Sequence, residues 1–456
     1  SVRKGYEPAT NRYATKFSEI NVSCESCHGA SAGHLDWASQ TPRAQLPHRG
    51  FASAAAKRPT PDWTIDWANG SPAKSVARPE GDEVETCGRC HARRAQFSED
   101  WRPGRPLTDT MLPSLLTPDL FEDDGQMKDE VFNYASFLQS KMYDKGVVCS
   151  DCHDPHSSKL KANGAAVCSQ CHNAGKFAAV THTGHASGAK APDCISCHMP
   201  TRTYMLVDGR HDHSFRIPRP DLTVRLGTPN VCNDCHNDKD ARWAAAALER
   251  WHGPTRKGFQ NWAPAFHAAR VRRPEARDLL LNIAREPTSP AIARATALHL
   301  LAPARTRTVK DEMSRRLTDP SPLVRISAVR GLASLPVEER WQLLNARLND
   351  DVRAVRMEAA VALAGRPATS FTPADLLLFE PAAAEYLAAQ RFAADRPEGR
   401  ANLANFLALR GQTKAAEEEY VAGIKLWPSA TVLHVNLADL YRAQGREQEA
   451  EQLLKQ

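Results

Sequence analysis

The chain has 456 residues, a formal net charge of +6 and a mean hydropathy of −0.49. This length suits two or three domains, and since no uninterrupted apolar run reaches the length of a bilayer span, we expect no transmembrane segment. No basic block with interleaved aromatic residues is present, which argues against a nucleic-acid partner.

All twelve cysteines lie in six C-x-x-C-H pentapeptides between residues 24 and 236. Their cysteines are Cys24, Cys27, Cys87, Cys90, Cys149, Cys152, Cys168, Cys171, Cys194, Cys197, Cys232 and Cys235. The histidines that close them are His28, His91, His153, His172, His198 and His236. This pentapeptide is the attachment signature of c-type haem, in which two thiols bond the porphyrin edge and the histidine becomes an axial iron ligand.

Structural zinc and disulfides are the alternatives for paired cysteines. Neither requires a histidine directly after the second cysteine, and six repetitions of that arrangement exclude coincidence. The sequence therefore predicts six covalent haem c groups, with zinc or disulfides as the minor alternative. Bound haems would also add propionate carboxylates, which offset the positive net charge.

Residues 1–240 form the predicted multihaem c-type domain and are rich in Pro, Gly, Ser and Asp. Segments 41–79 and 103–118 are typical of loops, whereas Glu130–Met142 has apolar residues at helical spacing and is the best helix candidate. A domain with so few long periodic elements buries little apolar surface, so we expect haem to supply much of its core.

Seven further histidines in this region are candidates for the second axial position of the irons. The stronger candidates are His34, His156, His185 and His213, and the weaker ones are His48, His182 and His211. Because His156 lies only three residues after His153, it would serve a neighbouring iron. For each candidate, a surface or propionate-bonded histidine is the alternative. Seven candidates for six sites predict mostly bis-histidine ligation, which is typical of electron carriers.

From Ala241 onward the chain has no cysteine and becomes rich in Ala, Leu, Arg and Glu. Arg294, Arg325 and Arg356 recur at a constant interval (325−294 equals 356−325) in segments that resemble HEAT repeats. Two further segments, LANFLALRG from Leu403 and LADLYRAQG from Leu437, recur at the spacing of the tetratricopeptide pattern. Generic helical hairpins are the alternative.

The predicted fold class is therefore mainly α. A loop-rich multihaem domain is followed by an all-α solenoid, with HEAT-like helices in residues 241–372 and tetratricopeptide-like helices in residues 373–456. Such arrays bury a core by stacking neighbouring repeats and leave an elongated surface free.

The segments NVSCESCHGASAGH, SFLQSKMYDKGVVCSDCHDPHS and DHSFRIPRPDLTVRLGTPNVCNDCHNDK resemble the multihaem cytochromes c that carry C-terminal HEAT and tetratricopeptide repeats. Those proteins are distantly similar to the hydroxylamine oxidoreductase and cytochrome c nitrite reductase superfamily. The resemblance implies closely packed haems, electron transfer and a periplasmic or extracellular location at the cell surface. The C-x-x-C-K site of pentahaem nitrite reductases does not occur in this sequence.

The first eight residues resemble the segment that follows a C-x-x-C-H motif in the similar cytochromes. The resemblance thus implies two further haems upstream of Ser1, and eight in the complete polypeptide.

These features support three hypotheses. The preferred one is an electron-transfer cytochrome whose solenoid docks redox partner proteins or copies of itself. The alternative is an oxidoreductase in which one five-coordinate haem acts on a small nitrogen or sulfur compound. The third is a haem wire in an extracellular polymer, covered by the helical repeats. Since electron transfer is preferred, no catalytic residue is assigned.

Overall fold

The computed structural model describes residues 2–17, 19–51, 63–74, 82–186, 188, 192–255 and 258–455. Helices dominate and strands are short, so the predicted mainly α class is confirmed. Parts of segment 41–79, which we expected to form loops, lie outside the described residues. Among the described residues, no helix has both the length and the apolar character needed to cross a bilayer.

Within the described ranges the strands are short and pair only in twos. They are β1 (Val2–Arg3), β2 (Tyr6–Glu7), β3 (Arg12–Tyr13), β4 (Lys16–Phe17), β5 (Trp63–Ile65), β6 (Pro72–Lys74), β7 (Arg94–Gln96), β8 (Met111–Pro113), β9 (His153–Asp154), β10 (Lys159–Leu160), β11 (Thr201–Tyr204) and β12 (Asp208–His211). The pairs are β1 with β4, β2 with β3, β5 with β6, β7 with β8, β9 with β10, and β11 with β12.

Most helices of the haem region are a single turn. They are α1 (Glu25–His28), α2 (Ala32–Ser39), α3 (Asp82–His91), α4 (Tyr134–Phe137), α5 (Lys141–Asp144), α6 (Cys149–Cys152), α7 (Ala166–Ser169), α8 (Ala174–Phe177), α9 (Val180–Thr183), α10 (Cys194–His198), α11 (Pro220–Leu226) and α12 (Cys232–Cys235). Because a single turn has few internal hydrogen bonds, these helices depend on their surroundings for stability.

The later helices have 8 to 20 residues. They are α13 (Ala241–His252), α14 (Ala263–Arg270), α15 (Ala276–Arg285), α16 (Ala291–Leu301), α17 (Arg307–Arg316), α18 (Pro322–Leu332), α19 (Val337–Leu344), α20 (Arg353–Leu363), α21 (Pro373–Phe392), α22 (Pro397–Leu409), α23 (Thr413–Leu426), α24 (Thr431–Ala443) and α25 (Glu447–Leu454). The pair α22 and α23 recurs as α24 and α25, and both helices start at the same offset from their counterparts (431−397 equals 447−413). The tetratricopeptide assignment of these helices stays a prediction.

The chain forms two compact units. The first combines Ser1–Ser31, Arg94–Leu112 and Arg305–Gln456, and the second combines Ala32–Arg93 and Pro113–Ala304. Both units cross the boundary expected at residue 240, because each joins part of the haem region to helices of the repeat region. The predicted domain bounds 1–240, 241–372 and 373–456 themselves stay a prediction.

In the second unit, part of the apolar core lies in the segment between residues 113 and 148. Leu116, Phe121, Met127 and Val131 are almost fully buried there. The predicted helix over Glu130–Met142 is wrong, because α4 and α5 are separate single turns. Ser140 between them is extended, and its hydroxyl accepts a hydrogen bond from the Tyr143 amide, so it starts a new helix instead of continuing the first.

Each recurring arginine of the HEAT-like segments donates a hydrogen bond to the loop that precedes its own helix. Arg325 Nη1 donates to the carbonyl oxygen of Asp319 at 2.9 Å, and Arg356 Nη1 donates to that of Asp350 at 2.7 Å. Arg294 Nε donates to the Ser289 carbonyl in the same way, at 3.3 Å. The constant interval between these arginines therefore has a structural reason in each repeat.

In the first unit, the N-terminal strands contact the turn between α21 and α22. Lys4 Nζ lies 2.6 Å from Asp395 Oδ1, and the Tyr6 hydroxyl donates to the Ala394 carbonyl at 3.1 Å. Arg400 Nη2 donates to the Pro8 carbonyl at 2.8 Å. The segment that leads to the first C-x-x-C-H motif is thus held by residues from the far end of the sequence.

Candidate haem-binding site

Each pair of motif cysteines lies on or next to one short helix, which brings the two thiols and the histidine close together. In the first, fourth and sixth motifs the histidine amide donates to the carbonyl of the first cysteine at 2.9 Å. This is the i to i−4 bond of an α-helical turn, so the first cysteine and the histidine share one face of the helix. The third motif differs, since His153 is extended and leaves the helix.

Cysteines of successive motifs in the second unit are neighbours. The thiols of Cys87 and Cys149 form a hydrogen bond, which together with burial raises the pKa of Cys149. Burial and the nearby thiol of Cys194 raise the pKa of Cys168 to about 11.

The remaining links are similar. Burial raises the pKa of Cys152 to about 11, with Cys171 among its electrostatic neighbours. Burial also raises the pKa of Cys197, and the nearby thiol of Cys232 is the second largest cause of this increase. The second to sixth motifs therefore form a series in chain order, in which each motif lies next to the following one.

Three motif histidines face a second histidine. His153 faces His213 with ring centroids 6.3 Å apart and an interplanar angle of 24°. The corresponding values are 6.1 Å and 16° for His198 with His182, and 6.1 Å and 26° for His236 with His185. A metal bonded at about 2 Å to one nitrogen of each ring would hold the two centroids roughly 6 Å apart, so all three pairs have the spacing of two imidazoles that share one iron.

Hydrogen bonds define which nitrogen of several of these rings is available. Nδ1 of His198 lies 2.6 Å from the Arg216 carbonyl oxygen, Nδ1 of His185 lies 2.6 Å from that of Thr183, and Nδ1 of His213 lies 2.9 Å from that of His211. Because a carbonyl only accepts, Nδ1 carries the hydrogen and Nε2 keeps its lone pair. Metal-ligating histidines are usually oriented in this way.

Burial further favours the neutral rings that ligation requires. It is the main cause that lowers the pKa of His213, His182 and His153 below the ordinary value. Neighbouring histidines lower the pKa of His182 and His153 further.

In one segment with several motifs the polypeptide leaves its side chains incompletely buried, as expected for residues that hold a large apolar group. None of the described residues from 149 to 203, a segment with three motifs, is buried. Together with the paired thiols and the facing histidines, this burial pattern fits covalently bound haem. The residues present therefore suit the group that the motifs imply.

The other predicted axial ligands have different surroundings. The His156 side chain is 83% exposed, and its Nδ1 lies 4.0 Å from Asp154 Oδ1. The His34 ring stacks on Phe51 at 4.0 Å, and its Nδ1 is bonded to the Arg49 carbonyl oxygen at 2.9 Å. The roles of both histidines as iron ligands stay predictions.

Two of the weaker candidates have other surroundings again. His48 has a φ of 52° in a short turn, and His211 Nδ1 lies 3.1 Å from the Met199 carbonyl oxygen. His172, the histidine of the fourth motif, meets the edge of Phe177 at 5.6 Å.

Sequence reasoning missed the aromatic residues of α13. Trp243 lies 4.7 Å from the His236 ring, Trp251 lies 5.9 Å from His185, and His252 lies 6.0 Å from His182. The only sequence feature that indicated a contact between α13 and a motif histidine was the short distance along the chain from His236 to Trp243.

Comparison with known proteins finds two family matches. Residues 142–177, which contain the third and fourth motifs, match the doubled CXXCH motif, and residues 277–364 match HEAT repeats. No curated protein matches the sequence. Among solved structures, the chain is similar to the crystal structure of outer cell wall cytochrome OcwA, with 14% identity over 71% of this chain and 72% of that chain and a TM-score of 0.33.

The doubled-motif match supports a multihaem c-type cytochrome that carries haem c, and the second match confirms the HEAT-like prediction. The similarity to the hydroxylamine oxidoreductase and nitrite reductase superfamily stays a prediction.

Proposed function

We propose that this chain is an electron-transfer protein that carries electrons through closely packed haems, six in this chain and mostly with two histidine ligands. The observation that carries the proposal is the series of neighbouring cysteines from the second to the sixth motif. Thioether bonds join these sulfur atoms to the porphyrin edges, so neighbouring cysteines bring successive haem edges near each other. Bound haem supplies the reversible one-electron chemistry of its iron.

The histidine pairs support electron transfer over small-molecule chemistry. His213, His182 and His185 face the motif histidines His153, His198 and His236. A second strong ligand closes the position at which a substrate would bind, which is typical of electron carriers.

Haem content gives the first test. The denatured protein should keep six covalent haems, and replacing both cysteines of one motif should remove one of them. The measurement is the intact mass together with the haem absorbance of the unfolded chain. Fewer than six haems in the unaltered protein would contradict the proposed number.

Ligation gives the second test. His213→Ala should convert one low-spin ferric haem to high spin in the electron paramagnetic resonance spectrum, because the iron near His153 loses its facing imidazole. His434→Ala is the control, since this histidine lies on α24 in the repeat region with its Nε2 2.8 Å from the Pro428 carbonyl oxygen. A high-spin signal in the unaltered protein would instead favour an open iron position and enzyme activity.

We also propose that the protein is periplasmic or extracellular, since covalent haem motifs are typical of exported redox proteins. Cell fractionation with haem staining tests this location.

We further propose that the helical repeats dock redox partners or other copies of the chain, because a solenoid leaves an elongated surface free. Sedimentation over a range of protein concentrations should show association, and a monomer at every concentration would contradict self-assembly.

A further inference from the structure

One helix, α13, contacts both members of a facing histidine pair. Trp243 near its start lies against His236, with ring centroids 4.7 Å apart and planes at 52°. Trp251 near its end meets His185 at 5.9 Å and 65°. Since His185 and His236 face each other at 6.1 Å, a single helix contacts both rings of the pair, one with each tryptophan.

The end of α13 also approaches the segment His182–His185 closely. Gly184 in this segment has a φ of 69°, and a Cβ atom there would lie 2.4 Å from a ring carbon of Trp251. His252, the last residue of the helix, lies 6.0 Å from His182 with planes at 64°. Trp251 and His252 therefore meet the segment that carries the facing histidines of both the fifth and the sixth motif.

The helix is held in place by contacts that do not involve these rings. Asp240 caps its first turn, since its Oδ1 accepts a hydrogen bond from the Trp243 amide at 2.9 Å. Ala244 and Ala247 are buried, and α13 packs against α11. The two tryptophans are about 12 Å apart along the helix axis. Because the helix is fixed by its own contacts, this spacing is constant and supports the His236 and His185 rings at fixed positions.

We infer that Trp243 and Trp251 are positioning residues, which fix the ring planes of His236 and His185 and thereby tune the iron that those histidines share. This inference rests on the proposed function, because it requires both histidines to be ligands. Contacts around the ligands of a metal control their orientation, and the relative orientation of two axial imidazoles determines the low-spin ferric spectrum. The helix therefore belongs functionally to the haem region.

The test uses the full-length holoprotein with Trp251→Leu, which keeps an apolar side chain but removes the aromatic ring. We expect the same six haems and the same proportion of low-spin haem as in the parent, with one low-spin resonance shifted in anisotropy and one midpoint potential changed. Trp251→Phe restores an aromatic edge and should return both values toward those of the parent. Trp67→Ala is the control, because this tryptophan is 78% exposed.

Potentials and spectra of Trp251→Leu and Trp243→Leu that equal those of the parent would overturn the inference. If neither Leu variant folds, Trp251→Met and Trp243→Met, which also lack an aromatic ring, are compared with the parent by the same two measurements, and identical values again overturn it. Failure of the proposed function is distinguishable, since the unaltered protein itself would then carry fewer than six covalent haems or be mostly high-spin.

His252→Ala separates support from ligation at the neighbouring pair. His182 is nearly parallel to His198 at 6.1 Å but steeply inclined to His252 at 6.0 Å. We expect every haem of His252→Ala to stay low-spin. Loss of one low-spin haem would make His252 a ligand and would overturn a purely positioning role for the end of α13.

Discussion

The segment from residue 149 to 203, with three haem motifs, differs sharply in burial from the HEAT repeats in residues 277–364. None of the described residues of the first segment is buried, and its helices have four or five residues. In the repeats, α18 and α20 have 11 residues each and bury most of their apolar side chains. The two segments must therefore obtain their stability from different sources.

The repeats obtain their stability from side chains that the sequence itself supplies. Apolar burial is the dominant favourable contribution to folding, and a helix with a buried face contributes to it directly. The haem segment has almost no such burial to offset the loss of chain entropy. Its order is therefore expected to depend on the covalently attached group.

Withholding haem should have the largest effect. In protein produced without haem attachment, we expect proteases to cleave residues 149–203 rapidly while residues 277–364 resist cleavage. Limited proteolysis with mass spectrometry, alongside the holoprotein as control, measures the difference. Equal resistance of the two segments without haem would show that the comparison is wrong.

A buried arginine gives the next largest effect, on the repeats alone. Arg325 Nη2 lies 2.8 Å from carboxylate oxygens of both Asp350 and Asp351. Arg325→Ala should lower the free energy of unfolding by about 3 to 5 kcal/mol, because the buried Asp350 carboxylate keeps only Arg347 as an ion-pair partner and the carbonyl oxygens of Asp319 and Pro320 lose a donor. Denaturant unfolding followed by circular dichroism measures this loss.

Arg277→Ala is the matched control for that experiment, since Arg277 forms an exposed pair with Asp278. It should leave the unfolding midpoint unchanged. The haem spectrum should also be the same in both variants, and a lost haem in Arg325→Ala would mean that the repeats contribute to haem attachment.

Removing apolar volume from the repeats tests their core. Leu332 on α18 is 1% exposed, so Leu332→Ala should cost about 2 to 5 kcal/mol of unfolding free energy through lost burial and the cavity left behind. Leu377→Ala, at a position 79% exposed, should change it by about 0.5 kcal/mol or less. Equal effects of the two substitutions would contradict a core-driven repeat fold.

The smallest effect is expected at the N-terminal strands. Burial raises the pKa of Asp395, but hydrogen bonds from Lys4 and Tyr13 outweigh it, so the pKa lies below the ordinary value. The unfolded group titrates at about 3.9, so its contribution is complete above that pH and is lost as the pH falls through the lower folded pKa.

The protection factors of residues 2–17 against hydrogen exchange should therefore fall in acid, and Lys4→Ala should lower them already at pH 7. A partly exposed ion pair of this kind is worth about 1 kcal/mol or less. Lys16→Ala, at an exposed position of the same strands, serves as control. Unchanged exchange in Lys4→Ala would show that the other contacts hold the strands by themselves.

Sequence reasoning succeeded where structure is encoded locally. The HEAT-like segments were predictable because their arginines recur at a constant interval, and the contacts of Arg325 and Arg356 with nearby carbonyls give that period a cause. The haem motifs were readable because a covalent attachment requires fixed spacing within one short pentapeptide. The helix Glu130–Met142 failed because Ser140 caps a new turn, which apolar spacing does not reveal.

Pairing of the histidines was not predictable in the same way. His153 lies far from His213 in the sequence, and His185 lies far from His236, so only the folded chain brings the members of each pair together. Proximity in sequence favoured His156, whose side chain the fold leaves exposed. His182, in contrast, had only weak support from sequence but faces His198.

The segment that carries His182 and His185 places a limit on how this chain can diverge. The two histidines are separated only by Thr183 and Gly184, yet they face different motif histidines, His198 and His236. An insertion or deletion between them would displace at least one ring from its partner, whereas exchange of Thr183 keeps the length. Related chains that retain both pairs should therefore vary in composition here but not in length, and those with a different length between the two histidines should lack at least one pair.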